Sequence, residues 1–219
     1  MTIQQHLAEI RARIAAARAA SPRRQDVELL AVSKTHDADA VREAIAAGQH
    51  AFAENRVQEA AAKFPPLRDE YPDMRLHLIG PLQTNKARDA VRLFDAVHTV
   101  DRAALAEKLA NEMAKQNKKL LCFIQVNTGE EIQKAGVSAA QLPELLNFCR
   151  TDAGLEIQGL MCIPPVAEPP ETHFKLLAEL ATEYALPLLS MGMSADFEVA
   201  IRLGATHVRV GSAIFGVRD

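Results

Sequence analysis

Short apolar runs alternate with longer amphipathic segments along the whole chain of 219 residues. The first segment, residues 2–20, places Leu7, Ile10 and Ile14 on one stripe with arginines elsewhere, which predicts an amphipathic helix. Apolar runs then predict eight strands, at residues 27–34, 50–54, 75–80, 96–100, 120–126, 156–163, 187–191 and 207–210. Every gap between these strands holds a segment with helical character, so the pattern predicts alternating strands and helices behind one leading helix.

Capping residues and prolines mark where the helices begin and end. Asp37, Asp101 and Ser194 are predicted N-caps, because their side chains accept hydrogen bonds from the free N–H groups of a first helical turn. The helix after the second strand is expected to run from about residue 56 to 63 and to stop before Pro65-Pro66, since proline lacks the N–H that continues a helix.

Regular alternation of strands and helices indicates parallel strands joined by right-handed crossovers. Eight such units without an obvious linker predict an α/β fold, a closed (β/α)8 TIM-type barrel with an extra N-terminal helix. A single domain over residues 1–219 is expected at this length. A doubly wound open sheet is the structural alternative.

The net charge and the amino-acid composition argue against nucleic acid and membranes as binding partners. A formal net charge of −3 gives no chain-wide basic field for nucleic acid or a membrane surface, and no apolar run is long enough to span a bilayer. The absence of Trp and an aromatic content of 5% argue against a base-stacking platform. Cys122, Cys149 and Cys162 are odd in number and lack metal-ligand spacing, so we expect reduced thiols in a cytoplasmic protein.

The carboxyl ends of the strands are where a barrel of this kind carries its site. The first strand ends at Lys34, whose amine would be a nucleophile for carbonyls if it is held at a pocket mouth; a lysine that only marks the surface is the alternative. Gly192-Met193-Ser194 and Gly211-Ser212 follow the last two strands, where barrels often bind phosphate. Plain helix capping is the alternative for Ser194.

Two further polar residues interrupt predicted strands. Arg209 shares one face of the last strand with His207 and Gly211, and a buried guanidinium must be paired or hydrogen-bonded. An ion pair with an inward-facing acid is the alternative to a ligand contact. His77 is flanked by leucines, a pattern more typical of a core histidine with satisfied hydrogen bonds than of a ligand.

A lysine at one strand end, an arginine inside the last strand and a phosphate site after the last two strands suit a molecule with an aldehyde and a phosphate. Pyridoxal 5'-phosphate (PLP) is such a molecule: Lys34 would form a Schiff base with the aldehyde, and Arg209 would face the pyridine nitrogen. Sugar-phosphate isomerases and aldolases also combine a barrel, a lysine and a phosphate site, so a cofactor-free enzyme of that class stays open.

A family resemblance is carried by residues 31–35, 54–55, 58–59, 77–86, 125–127, 134–136, 159–165, 189–194 and 208–216. Through these stretches, which follow one another over nearly the whole chain, the sequence resembles the pyridoxal-phosphate homeostasis proteins of the YggS/PROSC type. The fold of that family is similar to the N-terminal barrel of alanine racemase. Two positions depart from the family pattern: Ala53 stands where glycine is usual, and Ser212 stands where threonine is usual.

The resemblance implies roles for individual residues. They are Lys34 as the lysine that carries the cofactor, Ser194, Gly211 and Ser212 as phosphate-binding positions, Arg209 at the ring nitrogen, and Asn55 and His77 beside the ring. The family function implied is PLP homeostasis, by storage, protection or delivery of the cofactor, with PLP-dependent apo-enzymes as possible recipients and effects on amino-acid balance.

Racemisation needs a second base on the opposite face of the substrate, which in alanine racemase is a tyrosine from an additional C-terminal domain. The chain ends shortly after its eighth strand, and its tyrosines, Tyr71 and Tyr184, are predicted away from the strand mouths. We therefore expect no efficient racemase, and a monomer. A PLP-dependent racemase or decarboxylase of fold type III, acting on a small amino acid, is the enzyme alternative. The charged loop 128–134 is a candidate flap over the pocket.

Overall fold

Eight parallel strands close into a barrel in the computed structural model, which describes residues 1–131 and 133–216. Each strand pairs with the next along the chain, and β8 returns to pair with β1, with Glu28 opposite His207 and Leu30 opposite Arg209. The predicted (β/α)8 barrel is confirmed, and the open-sheet alternative is wrong because the sheet has no edge. Ile132 and residues 217–219 of the expected single domain lie outside the described residues.

The strands are β1 Glu28–Val32, β2 Ala51–Glu54, β3 Arg75–Leu78, β4 Ala96–Val100, β5 Leu121–Gln125, β6 Ile157–Met161, β7 Leu188–Ser190 and β8 His207–Val210. The helices are α1 Ile3–Ala20, α2 Ala38–Ala46, α3 Val57–Glu70, α4 Ala87–Leu93, α5 Ala103–Lys115, α6 Leu142–Thr151, α7 Pro170–Glu183, α8 Phe197–Arg202 and α9 Ser212–Phe215, with a 3₁₀ turn at Thr84–Lys86.

The leading helix α1 is the predicted extra element. Thr2 and Gln5 form a reciprocal capping box at its start, and its buried stripe of Leu7, Ile10 and Ile14 is the one expected from the sequence. The helix packs against α2, α8 and α9, so it joins the first and last parts of the barrel wall. Among the described residues, no helix combines the length and hydropathy that a membrane span requires.

The predicted end of α3 is wrong, because the helix continues through Pro65 and Pro66 to Glu70. Each proline removes an N–H donor, at a cost of about 3 kcal/mol or more in a helix interior. Phe64 and Leu67 on the same turns are fully buried, and their burial offsets much of that cost.

One of the three predicted N-caps is confirmed. The Asp37 side chain accepts a hydrogen bond of 2.9 Å from the Ala40 N–H, as predicted. Arg102, not Asp101, precedes α5, and Asp101 forms an ion pair with it instead. The segment before α8 is held by Asp196, which accepts from the Met193 N–H at 2.6 Å, so the Ser194 hydroxyl is not used as a cap.

Candidate functional site

A cavity of about 550 Å³ lies at the carboxyl ends of the strands and gathers six of the seven predicted site residues. These are Lys34, Asn55, Ser194, Arg209, Gly211 and Ser212. Apolar side chains complete its wall, among them Val32, Ile79 and Ile163. A concave, largely apolar volume with a few convergent polar groups is what a small-molecule site requires.

Lys34 lies on the turn directly after β1, which we call the Lys34 turn (residues 33–36). The side chain is half-buried, and its amine has no hydrogen-bond or ion-pair partner in the described parts of the chain. Thr35 adopts a positive φ of 67°, which reverses the backbone directly behind the lysine. The Glu59 carboxylate accepts from the Thr35 N–H and holds this reversal in place. The turn therefore directs an unpaired amine into the cavity.

A buried ion pair between Lys63 and Glu54 holds the backbone of the Lys34 turn in place. Lys63 of α3 donates to the Ser33 carbonyl at 2.7 Å and to the His36 carbonyl at 2.8 Å, and its Nζ lies 2.6 Å from Glu54 Oε1. The Ser33 hydroxyl donates to the same Glu54 oxygen at 2.8 Å. Burial raises the pKa of Glu54, while Lys63 and Ser33 act in the opposite direction. Sequence reasoning missed Lys63; the only signal was a charged residue, Glu54, at the end of a short apolar strand.

Ser194, Gly211 and Ser212, the candidate phosphate cradle, lie on the adjacent loops after β7 and β8. The two hydroxyl oxygens are 3.4 Å apart, so the loops meet at these side chains. A β-carbon at Gly211 would come within 3.2 Å of the Val32 carbonyl oxygen, so glycine leaves this approach open. The N–H groups of Ser194 and Ser212 have no acceptor among the described residues. Asp196, on the first of these loops, accepts from the Met193 N–H and does not accept from these hydroxyl and N–H groups. Donors of this kind at loop tips suit an anion.

Gly192 sets the path of the first of these loops. Its φ is +92°, and a β-carbon there would lie 2.6 Å from the Ala200 Cβ and 2.9 Å from the Phe197 Cα. A larger residue would push the loop away from α8 and carry Ser194 with it.

Arg209 projects from β8 into the barrel and reaches the floor of the cavity, with only 3% of its surface exposed. One terminal nitrogen donates to Ser190 Oγ at 2.7 Å, and the other donates to the Cys162 carbonyl at 2.8 Å. Burial lowers the pKa of Arg209 below its usual value, but a guanidinium remains a cation in proteins. The ion-pair alternative is not observed, because no carboxylate in the described residues forms a salt bridge with it.

Asn55 follows β2 at the mouth of the cavity and packs against the end of β3. A β-carbon at Gly80 would lie 2.1 Å from the Asn55 carbonyl oxygen, so only glycine permits this approach. The asparagine side chain is half-buried and lines the cavity.

His77 is the predicted site residue that the structure does not bring to the cavity. It lies in the barrel interior, with Nδ1 3.0 Å from His98 Nε2 and Nε2 3.8 Å from Glu28. Burial lowers the pKa of His77 to about 4, so the ring is neutral at pH 7. The alternative of a core histidine with hydrogen-bonded neighbours matches this position. A contact between His77 and a ligand in the cavity therefore has no support from the geometry.

A larger cavity, of about 840 Å³, lies at the opposite end of the barrel beside α1. Its charged groups already have protein partners: Arg75 pairs with Glu28, Arg18 pairs with Asp26, and Arg11 donates to the Ala47 carbonyl. None of the predicted site residues lines it. We place the site in the smaller cavity, because that cavity has an unpaired amine and hydrogen-bond donors that are available to an anion.

The predicted flap contains Ile132, which lies outside the described residues. Of its described part, Lys134 pairs with Glu131 at 2.5 Å and donates to the Pro164 carbonyl at 3.1 Å. No described residue of the loop lines the 550 Å³ cavity. Motion of this loop stays a prediction.

No group of three or more described His, Cys, Asp or Glu side chains is arranged to hold a metal ion. The polar side chains that line the cavity are instead one primary amine, one guanidinium, one amide, two hydroxyls and the His36 imidazole, beside backbone N–H groups. These residues fit a ligand that carries a carbonyl at one end and a phosphate at the other.

The chain matches the family model of the alanine racemase N-terminal domain over residues 5–219. A relative from Pseudomonas aeruginosa, a pyridoxal phosphate homeostasis protein, is 44% identical over 224 residues, which cover 100% of this chain and 96% of the relative. The corresponding protein of Escherichia coli K12 is 38% identical and covers 99% of this chain and 97% of its own length.

Solved structures agree with these relatives. PipY of Synechococcus elongatus, in a structure with PLP bound, superposes with a TM-score of 0.84 at 38% identity, covering 98% of this chain and 100% of that chain. Alanine racemase of Clostridium difficile superposes with a TM-score of 0.69 at 15% identity over 95% of this chain and 56% of its own, and shares the fold alone.

Proposed function

Because the chain belongs to the alanine racemase N-terminal domain family and to the pyridoxal phosphate homeostasis proteins within it, we propose that it binds pyridoxal 5'-phosphate. Its function is homeostasis of that cofactor by storage, protection or delivery, with effects on amino-acid balance. The observation that carries the proposal is the unpaired Lys34 amine, which lines the same cavity as the phosphate cradle. The PLP bound to PipY supports the choice of cofactor.

The six predicted residues that line the cavity each have a role toward the cofactor. Lys34 holds it covalently as a Schiff base, since PLP supplies an aldehyde that condenses with a primary amine. Ser194, Gly211 and Ser212 donate to the phosphate, and Asn55 contacts the ring. Arg209 faces the pyridine nitrogen. A contact from His77 is not part of this proposal.

The position of Arg209 favours binding of the cofactor over catalysis with it. A guanidinium is a cation that only donates hydrogen bonds, so it discourages protonation of the pyridine nitrogen and weakens the ring as an electron sink. Tyr71 and Tyr184 end helices α3 and α7, and neither lines the cavity. We therefore propose a carrier and not an efficient racemase.

We further propose that the carrier acts as a monomer in the cytoplasm and that PLP-dependent apo-enzymes receive its cofactor. The cytoplasmic location is supported by three buried thiols that form no disulfide. Burial raises the pKa of Cys122 and of Cys162 to about 12, which keeps these thiols protonated and unreactive. Light scattering would measure the monomer directly.

A titration of the purified, cofactor-free protein with PLP, followed by visible absorption, tests the proposed function. The wild type should develop the yellow colour of a protein-bound Schiff base, and Lys34→Ala should not. Lys175→Ala is the matched control, because Lys175 is an exposed lysine on α7 far from the cavity, and it should behave as the wild type does.

The rival functions give different results in the same preparation. A wild type that stays colourless with PLP but binds a sugar phosphate in calorimetry would favour the cofactor-free isomerase or aldolase. Steady turnover of a small amino acid by the yellow protein would favour the racemase or decarboxylase of fold type III.

A further inference from the structure

A continuous series of polar side chains runs through the barrel interior from the 550 Å³ cavity toward its opposite end. We call it the interior polar chain; its members are Arg209, Ser190, His98, His77 and Glu28. The spacings are 2.7 Å from Arg209 to Ser190, 2.8 Å from Ser190 to His98, 3.0 Å from His98 to His77 and 3.8 Å from His77 to Glu28. These residues come from five different strands.

Polar side chains in the interior of the barrel destabilise the fold unless they are hydrogen-bonded. Barrel interiors of this class are filled mainly by branched apolar side chains. Ser190 and His98 are fully buried, and His77 is nearly so. A buried polar group without a partner destabilises the fold, so the hydrogen bonds from Arg209 through Ser190 and His98 to His77 satisfy these side chains. Glu28, at 3.8 Å from His77, acts through its charge. The buried side chains of the interior polar chain therefore depend on one another for their hydrogen bonds. The series also connects the two cavities, because Arg209 lines one and Glu28 lines the other.

The Arg209 end sets a direction for the hydrogen bonds. A guanidinium only donates, so Ser190 Oγ is the acceptor in the first bond. The single hydroxyl proton of Ser190 is then satisfied by donation to His98 Nδ1. Nδ1 is consequently unprotonated, and the neutral His98 ring carries its proton on Nε2, from which it donates to His77 Nδ1.

The Glu28 end requires the same direction. With Nδ1 of His77 accepting, its proton lies on Nε2 and points toward the Glu28 carboxylate. Burial raises the pKa of Glu28, but His207, His77 and Arg75 outweigh that effect and hold the pKa below its usual value, so the carboxylate is ionised at neutral pH. The reverse direction would aim a lone pair of His77 at this anion. His207 Nε2 also lies 3.3 Å from the same Glu28 oxygen.

We propose that Ser190 and His98 are positioning residues that orient the Arg209 guanidinium toward the cofactor pocket, with the Glu28 carboxylate at the far end setting the direction of the interior polar chain. This rests on the proposed function for the identity of the ligand. Without the Ser190 acceptor, the Arg209 guanidinium loses one of its two fixed hydrogen bonds and keeps only the one to the Cys162 carbonyl. It then gains freedom to turn away from the cavity.

The first arm of the test uses the cofactor-free protein. The ¹⁵N spectrum of the imidazole rings at pH 7 should show His98 and His77 both neutral and both protonated at Nε2. The Nη resonances of Arg209 should be resolved in the wild type and broadened in Ser190→Ala. A His98 protonated at Nδ1, or Arg209 resonances unchanged by Ser190→Ala, would overturn the proposal. If Ser190→Ala does not fold, the imidazole spectrum of the wild type still decides.

The second arm is a double-mutant cycle on the dissociation constant for PLP. Loss of a hydrogen bond to a charged group predicts that Ser190→Ala weakens PLP binding about tenfold. In an Arg209→Met background, the same Ser190→Ala change should have no further effect, because Ser190 acts only through Arg209. Ser21→Ala is the matched control: Ser21 is a buried serine that donates to Gln25, far from the cavity, and its replacement should leave PLP binding unchanged.

The outcomes separate the two proposals. Equal losses from Ser190→Ala in both backgrounds would overturn the positioning role while PLP binding stands. A wild type that binds no PLP would overturn the proposed function, and the spectra of the first arm would then decide on the interior polar chain alone.

Discussion

At the scale of single residues, the site is marked by polar side chains that have few protein partners. The Lys34 amine has no partner in the described structure, and the Ser194 and Ser212 hydroxyls contact only each other at 3.4 Å. By contrast, the buried Lys63 is paired with Glu54, and the buried Arg209 donates to Ser190 and to the Cys162 carbonyl. An amine without a protein partner and two hydroxyls that contact only each other are therefore available to a ligand in one cavity.

Replacement of Ser194 and of Ser212 by alanine should each weaken PLP binding about tenfold, because each hydroxyl loses a hydrogen bond to a charged phosphate, worth roughly 1.5 kcal/mol. Pyridoxal, which has no phosphate, should bind both variants as it binds the wild type. Fluorescence titration measures both ligands, with Ser138→Ala, on the loop before α6, as the control. Equal losses for pyridoxal and PLP would contradict phosphate binding by these serines.

At the scale of elements, the end of β1 is supported by a helix that is distant in sequence. Lys63, on α3, is only 8% exposed and spans two carbonyls of the Lys34 turn as well as the Glu54 carboxylate of β2. The helix α3 continues through Pro65 and Pro66, and Phe64 and Leu67 of these turns are buried in the core. They anchor the part of the helix that carries Lys63. The position of Lys34 is therefore a property of β1, β2 and α3 together.

Lys63→Met should destabilise the fold by about 3–5 kcal/mol, since it leaves the buried Glu54 carboxylate without its cation. Glu54→Gln in the same chain should recover part of that loss, because no uncompensated charge remains. Urea unfolding at pH 7 measures both, and Lys175→Met on the surface is the control. A Lys63→Met variant as stable as the wild type would contradict the supporting role of this pair.

At the scale of the whole molecule, the polar barrel interior makes stability depend on pH. His77 has a pKa of about 4 in the folded protein, against 6.5 for a free histidine, and burial of His98 also places its pKa well below the usual value. Between pH 4 and 6.5 the unfolded chain binds protons on these rings that the folded chain does not. These two rings therefore make the free energy of unfolding rise with pH across this window.

Acidification from pH 6.5 to 4 should lower the free energy of unfolding by about 3 kcal/mol through His77 alone, with a further loss from His98. Urea unfolding at half-unit steps of pH measures the slope. Replacement of the exposed His50 by Gln should leave that slope unchanged, whereas His77→Gln should reduce it. A flat profile in the wild type would mean that the interior histidines are not held neutral by burial.

The cavity residues could be predicted because parallel strands of a closed barrel end at one mouth, so Lys34, Asn55 and Gly211 had to converge. His77 could not be assigned, because the depth of an inward residue depends on strand tilt and register, which local sequence does not show. Lys63 has the pattern of a surface lysine, and only the assembled barrel brings it to the Lys34 turn. The continuation of α3 past its prolines is likewise a result of tertiary burial.

The most direct test of the central claim is reduction of the PLP-loaded protein with borohydride, followed by digestion and mass mapping of the labelled peptide. We predict one pyridoxyl adduct, on Lys34, and no adduct in Lys34→Ala. An adduct on a different lysine in the wild type, or none at all, would contradict the assignment of this cavity as the PLP site.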